Sequence, residues 1–308
     1  MKGSKLVANI SLAAAVIAAS APAAAQAHPG RCDQGRIVFT RTGDDGIPSI
    51  FSTDPCTGAV TRVAGGHHAT LSPDGRLLAY DSILDGQQTT DVFVSRPDGT
   101  GARDITNSPG VNDLEPAFSP DGRSLAYSTG TDRVRDAQIA IQDLRDTRAR
   151  VITDLPPGQE AFDPSWSPSG RRIVFDTLSP TDPSALWVVR TDARNLHQIT
   201  SDACQPDWGP DGLIAYTGGC DDLQSHLFLR TPGGRRVRQL TTDAGGASSQ
   251  KPAFSPDGRS LTFSRFDANF DDGDVWRLDL RTGAETDVVP GPTFDYWSDW
   301  GPDPGSHR

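Results

Sequence analysis

The chain has 308 residues and a formal net charge of −11, with 40 acidic residues against 29 lysines and arginines. This balance argues against binding to nucleic acid or to an anionic membrane surface, because both depend on clustered basic residues. The length is enough for two ordinary domains or for one large all-β domain.

The first 27 residues have the composition of a secretory signal peptide. Lys2 and Lys5 precede an alanine-rich apolar stretch, and the small residues of Ala25–Ala27 fit a cleavage site before His28. The apolar stretch is shorter than the roughly 20 residues of a membrane span. We therefore predict an exported protein, periplasmic or secreted, whose mature chain of residues 28–308 has no membrane span.

A short motif recurs six times after this segment. Its full form is an aromatic residue followed by Ser-Pro-Asp-Gly, as in Phe118–Gly122. Proline suits the second position of a type I turn, aspartate the third, and glycine the left-handed conformation that follows. Each copy is therefore predicted to be a hairpin turn between two antiparallel strands. The copies begin at Leu71, Phe118, Trp166, Trp208, Phe254 and Trp300, at intervals of 47, 48, 42, 46 and 46 residues.

Each motif turn is followed by two apolar segments and one polar segment. After the turn at Phe118–Gly122 these are Leu125–Tyr127, Ile139–Ile141 and a polar segment that ends in Ile152-Thr153. Four strands in a period of about 45 residues are typical of a β-propeller blade. The inner strands are apolar on both faces because each blade packs between two others, and the fourth strand forms the polar outer rim.

The two ends of the chain predict how the ring of blades closes. Arg36–Phe39 matches a second strand with no first strand before it, whereas Trp300 begins a first strand with no second strand after it. Joined, they complete a blade and remove the exposed edges that a linear solenoid, the alternative architecture, would leave. We predict an all-β, six-bladed β-propeller, closed by pairing of the C-terminal strand with the N-terminal strands. It forms one domain over residues 28–308 and is expected to be a monomer.

The four cysteines of an exported protein are expected to form two disulfides, and the sequence alone permits three pairings. The blade assignment selects one of them. Cys204 is predicted to precede the first strand of a blade and Cys220 to follow the second, so that a hairpin sets them side by side. Cys32 and Cys56 fall at one end of the closing blade. We predict the pairs Cys32–Cys56 and Cys204–Cys220.

Six residues occupy the same position of the repeat, seven residues before the motif glycine. We expect this position to lie where the innermost strand starts, near one mouth of the central channel. A ring with both charges and an aromatic side chain there would bind a peptide or another polar ligand. The plainer interpretation is a set of solvated loop ends. The six residues are His68, Glu115, Asp163, Gln205, Lys251 and, in the closing blade, Trp297.

Two further features bear on metal binding. The pair His67-His68 carries imidazoles that suit transition metals, but the remaining histidines are predicted on other strands or at the termini, so three histidines are not expected to converge. The stretch Asp267–Asp274 resembles a calcium loop, although its glycine falls one position late for an EF-hand. It is also the acidic loop between two predicted strands. We expect no cofactor other than a candidate calcium ion, with Asp267, Asn269 and Asp271 as its candidate ligands.

The repeat resembles that of the TolB-like propellers, also described as WD40-like or PD40 repeats, over essentially the whole mature chain. Pro116–Gly122 and Pro252–Gly258 carry the family pattern Pro-x-aromatic-Ser-Pro-Asp-Gly. The resemblance implies the propeller fold. It also implies a binding role, since TolB is a periplasmic protein that receives peptides and the peptidoglycan-associated lipoprotein. We expect this chain to be the propeller alone, without the additional amino-terminal domain of TolB and without the hydrolase domain of peptidases that carry such blades.

We therefore expect a non-catalytic scaffold that binds an exported protein, a peptide or a cell-wall component, in the cell envelope or outside the cell. The alternative is a metal-dependent polysaccharide lyase or hydrolase that uses the central channel. Its candidate residues are His67, His68, Gln205 and the carboxylates of the channel. Enzymatic activity is the less expected of the two, because the sequence specifies no catalytic set.

Overall fold

The structure is a computed structural model that describes residues 35–303 apart from residues 44, 84–87, 132–135, 221–223, 235, 244 and 271. The predicted signal peptide, Cys32 and Asp271 lie outside the described residues. Every element of secondary structure in the described part of the chain is a β-strand or a turn. None of it forms a helix long and apolar enough to cross a bilayer.

The strands form six four-stranded antiparallel sheets, numbered here as blades 1 to 6. Blade 1 contains β1 (Arg36–Thr42), β2 (Pro48–Thr53), β3 (Val60–Gly65) and β24 (Phe294–Gly301), blade 2 contains β4 (His67–Leu71), β5 (Leu78–Ile83), β6 (Thr90–Ser95) and β7 (Arg103–Asp104), and blade 3 contains β8 (Asn112–Phe118), β9 (Ser124–Gly130), β10 (Gln138–Asp143) and β11 (Arg150–Val151). Blade 4 contains β12 (Glu160–Trp166), β13 (Arg172–Leu178), β14 (Ala185–Arg190) and β15 (His197–Ser201), blade 5 contains β16 (Ala203–Trp208), β17 (Ile214–Gly218), β18 (His226–Arg230) and β19 (Val237–Gln239), and blade 6 contains β20 (Ser248–Phe254), β21 (Ser260–Phe266), β22 (Gly273–Asp279) and β23 (Glu285–Asp287).

Blade 1 is built from both ends of the described chain, as predicted. Its strand order is β24-β1-β2-β3, whereas the other five blades use consecutive strands. The pairing of β24 with β1 sets Ile37 opposite Trp300. Trp300 is 4% exposed and packs in one core cluster with Ile37, Phe39 and Val275 of blade 6. The six-bladed fold and its closure by the C-terminal strand are confirmed.

The recurring motif forms the predicted turn and is stabilised by its own side chains. In blade 3 the N–H of Gly122 donates to the carbonyl of Ser119 at 2.8 Å, and Gly122 has a φ of +67°. The Ser119 hydroxyl donates to the Asp121 carboxylate at 2.6 Å and accepts from the N–H of Ser124 at 3.0 Å. Serine therefore joins the turn to the next strand, which gives a physical reason for its place in the repeat.

Three of the fourth strands are shorter than predicted, because β7, β11 and β19 end before the Ile-Thr or Leu-Thr pair. In blade 3 the N–H of Ile152 still donates to the carbonyl of Ile139 at 2.8 Å. The hydroxyl of Thr153 then accepts from the N–H of Ile139 at 2.9 Å, where a continuing strand would use a backbone carbonyl. The threonine side chain thus ends the strand. The same bond joins Thr106 to Val92 and Thr241 to Leu227.

Blade 5 contains the disulfide Cys204–Cys220, with the two Cα atoms 6.1 Å apart. Cys204 lies inside β16 rather than before it as predicted, because Ala203 already pairs with Gly218. Cys220 follows β17, so the bridge joins the two inner strands of the blade. The pair Cys32–Cys56 stays a prediction, since Cys32 lies outside the described residues.

Candidate functional site

The six residues predicted to form a ring lie at equivalent places on the six inner strands. They do not lie where those strands start, as predicted, but inside them, where the pairing with the second strand shifts register. All six have positive φ values, between 44° and 56°. A left-handed conformation at a residue other than glycine costs on the order of 1–3 kcal/mol, and such residues cluster at functional sites. We call this set the bulge ring: His68, Glu115, Asp163, Gln205, Lys251 and Trp297.

A second ring of buried polar side chains lies behind these bulges, and three of its members, Asp81, Thr217 and Ser264, accept the N–H of a bulge residue. The N–H of Glu115 donates to Asp81 Oδ2 at 2.9 Å, and the N–H of Trp297 donates to Ser264 Oγ at 2.9 Å. In both cases the acceptor belongs to the second strand of the preceding blade, so that one blade fixes the bulge of the next. The six residues at this position are at most 6% exposed, and they are Thr40, Asp81, Ser128, Asp176, Thr217 and Ser264.

Five residues of the bulge ring line one cavity of about 100 Å³ at a mouth of the channel: His68, Glu115, Asp163, Lys251 and Trp297. Gln205 is not among the lining residues. Its side-chain oxygen Oε1 accepts from the Thr217 hydroxyl at 3.0 Å and from the N–H of Lys251 at 3.1 Å. Gln205 therefore supports the neighbouring bulge, and the other five residues form the surface that a ligand would meet.

Lys251 lines this cavity and brings a positively charged ammonium group to it. Its ammonium group on blade 6 forms an ion pair with Asp163 on blade 4, two blades away around the channel. Glu115 accepts from the N–H of Asp163 at 2.6 Å. Burial lowers the pKa of Lys251, while the charges of Glu115, Asp81 and Asp299 oppose that shift. The ammonium group therefore depends on the surrounding carboxylates for its charge.

His68 and Trp297 form the aromatic side of the cavity mouth, and the ring of His67 lies beside them. The rings of His68 and Trp297 stack with their centroids 4.0 Å apart and an interplanar angle of 28°. His68 Nδ1 lies 2.7 Å from Asp81 Oδ2, and His67 Nδ1 lies 3.8 Å from Asp81 Oδ1. Burial lowers the pKa of His67, although the charge of Asp81 acts against it. No third histidine was expected here, but Asp81 adds a carboxylate, so these side chains could hold a metal ion.

Two aspartates of the innermost strands, Asp207 and Asp299, each stand two residues after a residue of the bulge ring. Asp207 accepts from the Ser165 hydroxyl at 2.9 Å and from the N–H of Phe254 at 2.7 Å. Asp299 accepts from the Thr70 hydroxyl at 3.0 Å and from the N–H of Leu71 at 2.9 Å. Burial raises the pKa of Asp207 to about 6, and the negative charge of Asp299 adds to that shift. Burial also raises the pKa of Asp299.

The raised pKa of Asp207 predicts a stability change with pH. The folded chain holds this proton up to about pH 6, whereas an unfolded chain releases it near pH 4. The contribution of this group to the free energy of unfolding therefore falls as the pH rises from about 4 to about 6. We expect Asp207→Asn, which cannot ionise, to gain on the order of 1–2 kcal/mol relative to the unchanged protein between pH 4 and pH 7. Urea unfolding at the two pH values checks this, and an effect that is the same at both would contradict it.

Acidic side chains outnumber basic ones around the channel, but not all of them carry a full charge. Asp176 is 6% exposed, and burial together with the charge of Glu115 raises its pKa well above the ordinary value, which favours its neutral form. A narrow cavity lined mainly by one sign of charge concentrates ions of the opposite sign. The acidic residues around the channel are Asp81, Glu115, Asp163, Asp176, Asp207 and Asp299.

The opposite mouth of the channel has a different character. It is a cavity of about 360 Å³ formed by the motif turns, and Trp166, Trp208 and Trp300 line it. The same cavity contains the six motif prolines, Pro73, Pro120, Pro168, Pro210, Pro256 and Pro302. This mouth is therefore the apolar end of the channel, and the bulge ring is the charged end.

The predicted calcium loop is described only in part. The backbone carbonyl of Asp267 accepts a hydrogen bond from the N–H of Phe270, with a length of 3.1 Å. Its carboxylate accepts a second one from the N–H of Asp272, with a length of 3.3 Å. These bonds stabilise the turn. Asn269 lies in the same turn, and Asp271 lies outside the described residues. Calcium binding at this loop stays a prediction.

Six four-stranded blades around a polar channel make this chain a six-bladed β-propeller. No family model matches it. It is 32% identical over 139 residues to a protein TolB homolog of Chlorobium luteolum, a match that covers 44% of this chain and 29% of that protein. The structure resembles TolB from Acinetobacter baumannii with a TM-score of 0.72 and 18% identity, over 87% of this chain and 67% of that one. Within its class the chain resembles the TolB propellers.

Enzymes share the same fold. An oligogalacturonate lyase from Vibrio parahaemolyticus resembles the structure with a TM-score of 0.53 and 16% identity, over 82% of this chain and 72% of that one. The chain spans less than a third of the length of the curated relatives that it matches. The likeness to the solved structures therefore establishes the fold, and the function has to be argued from the site.

Sequence reasoning found the bulge ring but missed the residues behind it. Asp81 follows the aromatic residue of a second strand, and every blade has a polar residue directly after that aromatic residue. A polar position that recurs inside a buried strand is an informative signal. Asp207 and Asp299 stand one residue before the motif aromatic and give a weaker signal, because alanine, serine or threonine takes that position in the other blades.

Proposed function

We propose that this chain is an exported, non-catalytic scaffold whose bulge ring binds a positively charged segment of a peptide or protein. The observation that carries the proposal is the cavity at the charged mouth, where residues from five different blades meet. Strand residues fixed by hydrogen bonds from the preceding blade form a preorganised site, and preorganisation lowers the entropy lost on binding.

The charge of the channel selects the kind of ligand. The cavity is lined by the carboxyl side chains of Glu115, Asp163 and Asp299 and by one lysine, Lys251. A lysine or arginine side chain, or a free amino terminus, would replace water among these carboxylates. The stacked ring of Trp297 adds an apolar face beside them, which also attracts cations.

Two observations support export and a protein partner. The Cys204–Cys220 disulfide fits an oxidising compartment, as in the cell envelope or outside the cell. The sequence match is to a protein TolB homolog, and a TolB structure shares the fold. We infer a place in the cell envelope or outside the cell, with an exported protein, peptide or cell-wall-associated protein as partner.

Selection of phage-displayed random peptides on the purified chain tests this proposal. We expect the enriched peptides to carry lysine or arginine and to lose affinity as salt is raised, because the attraction is electrostatic. Fluorescence anisotropy of the synthetic peptides should show about tenfold weaker binding to Trp297→Ala and to Glu115→Gln. The glutamine variant keeps an acceptor for the N–H of Asp163, so its effect reports the charge.

A matched control uses the other end of the channel. Trp166 lines the apolar mouth, so Trp166→Ala should leave the affinity of the selected peptides unchanged. Selection of neutral or acidic peptides, or equal losses in Trp166→Ala and Trp297→Ala, would contradict the proposal.

The second candidate function is a metal-dependent polysaccharide lyase or hydrolase. It is favoured by the cluster of His67, His68 and Asp81 beside the cavity and by the fold shared with an oligogalacturonate lyase. Incubation of the protein with polygalacturonate and divalent metal ions discriminates between the candidates. Formation of an unsaturated product that absorbs ultraviolet light would favour the lyase over the scaffold.

A further inference from the structure

Asp81 carries a buried carboxylate oxygen that has no hydrogen-bond partner. The residue lies on β5 and is 0% exposed. Its Oδ2 accepts from His68 Nδ1 at 2.7 Å and from the N–H of Glu115 at 2.9 Å. Its Oδ1 accepts no hydrogen bond from any described residue. A buried acceptor without a partner is costly, and buried charges are usually paired or coordinate a metal ion.

The two neighbouring imidazoles are directed to this carboxylate by the bulge in β4. Consecutive side chains of a regular strand point to opposite faces of the sheet. His68 has a φ of +44°, which breaks that alternation and allows His67 and His68 to approach Asp81 together. Blade 2 is the blade in which the bulge position and the residue before it are both histidine.

The distances fit ligands of one metal ion. His67 Nδ1 lies 3.8 Å from Asp81 Oδ1, and one ligand atom from each of the three residues lies within 4.8 Å of the other two. Zinc bonds of about 2.0–2.1 Å place two ligands of the same ion at most about 4.2 Å apart, so only small movements are needed. We propose that His67, His68 and Asp81 bind a divalent transition metal ion, for which Zn²⁺ is the best chemical match. This proposal does not depend on peptide binding.

The ligand types decide the class of metal. Imidazole nitrogens suit Zn²⁺ and its first-row neighbours, whereas Ca²⁺ and Mg²⁺ prefer sites made of oxygen ligands. Three protein ligands leave one position of a tetrahedral ion for water or for a bound molecule. His68 lines the channel-mouth cavity, so that position can be supplied from the channel.

Metal binding through His68 Nδ1 requires the imidazole to change its tautomer. Nδ1 now donates its proton to Asp81 and must lose it to bind the metal ion through that nitrogen. The neutral ring then carries its proton on Nε2, which lies 3.8 Å from Glu115 Oε1. A carboxylate that accepts the second ring N–H is the usual support of a metal-bound histidine.

Titration of the untagged, chelator-treated chain with Zn²⁺ in a calorimeter tests the site. We expect one equivalent to bind and the melting temperature to rise. His67→Ala should weaken binding by more than the roughly 10- to 100-fold that loss of a supporting residue costs. The same variant should fold normally, because the His67 side chain is 37% exposed.

The matched control is His197→Ala, which removes an exposed histidine of the outer strand β15 and should leave the affinity unchanged. Co²⁺ gives a second readout, since it should quench the fluorescence of Trp297, whose ring stacks on His68. That part of the quenching should disappear in Trp297→Phe. Failure to bind one equivalent of Zn²⁺, or equal losses in His67→Ala and His197→Ala, would overturn the proposal whether or not peptides bind.

Discussion

A chain that ends at Gly291 is expected to lose the cooperatively folded propeller, because it lacks β24. That strand is the innermost strand of blade 1 and pairs with β1 over its length. It also supplies Trp300, which is 4% exposed in the core between blades 1 and 6. Loss of one buried tryptophan side chain alone costs about 3–5 kcal/mol, a large part of the roughly 5–15 kcal/mol by which domains are stable.

Circular dichroism and thermal unfolding measure this effect. The control chain ends at Asp303 and keeps the whole of β24, so it should unfold cooperatively with the melting temperature of the full chain. Trp300→Ala in the full chain should lie between the two. A chain ending at Gly291 that unfolds cooperatively at the temperature of the control would show that closure of the ring does not hold the fold together.

Lys251→Met is expected to lower the free energy of unfolding by about 3 kcal/mol, since it leaves Asp163 as an unpaired charge among other carboxylates. The Asp163 side chain is 9% exposed, so water cannot replace the ammonium group fully. Because the ion pair joins blades 4 and 6 around the channel, its loss should loosen the charged mouth as a whole.

A double variant and a surface control show whether the pair causes the loss. Lys251→Met combined with Asp163→Asn removes both charges and should recover most of the stability. Arg259→Met breaks an exposed contact with Asp257, in which the two side chains are 79% and 49% exposed, and should change stability by no more than about 0.5 kcal/mol. Urea unfolding at neutral pH measures all three. A loss in Arg259→Met as large as that in Lys251→Met would contradict this account.

Most of the fold could be predicted from the sequence because its signals are local. The motif turn depends on five consecutive residues, and in the structure Ser119, Asp121 and Gly122 make the bonds that the pattern requires. Because the motif recurs at a nearly fixed period, the chain folds into a series of similar blades. The half-blades at Arg36–Phe39 and at Trp300 pair to complete the last blade of the ring. Strand ends were predicted less well, because a side-chain bond such as that of Thr153 to Ile139 decides where a strand stops.

The site divides in the same way. Repeat alignment alone placed His68, Glu115 and Trp297 at one equivalent position, and the structure brings all three to one cavity. Repeat alignment did not reveal the left-handed conformation of that position. Nor did it reveal the approach of His67 and His68 to Asp81, which stands 13 residues beyond His68. A one-residue change of pairing register turns a side chain to the other face of a sheet. The sequence alone therefore determined the number of blades and the ring, whereas the pairing of strands decided which side chains meet.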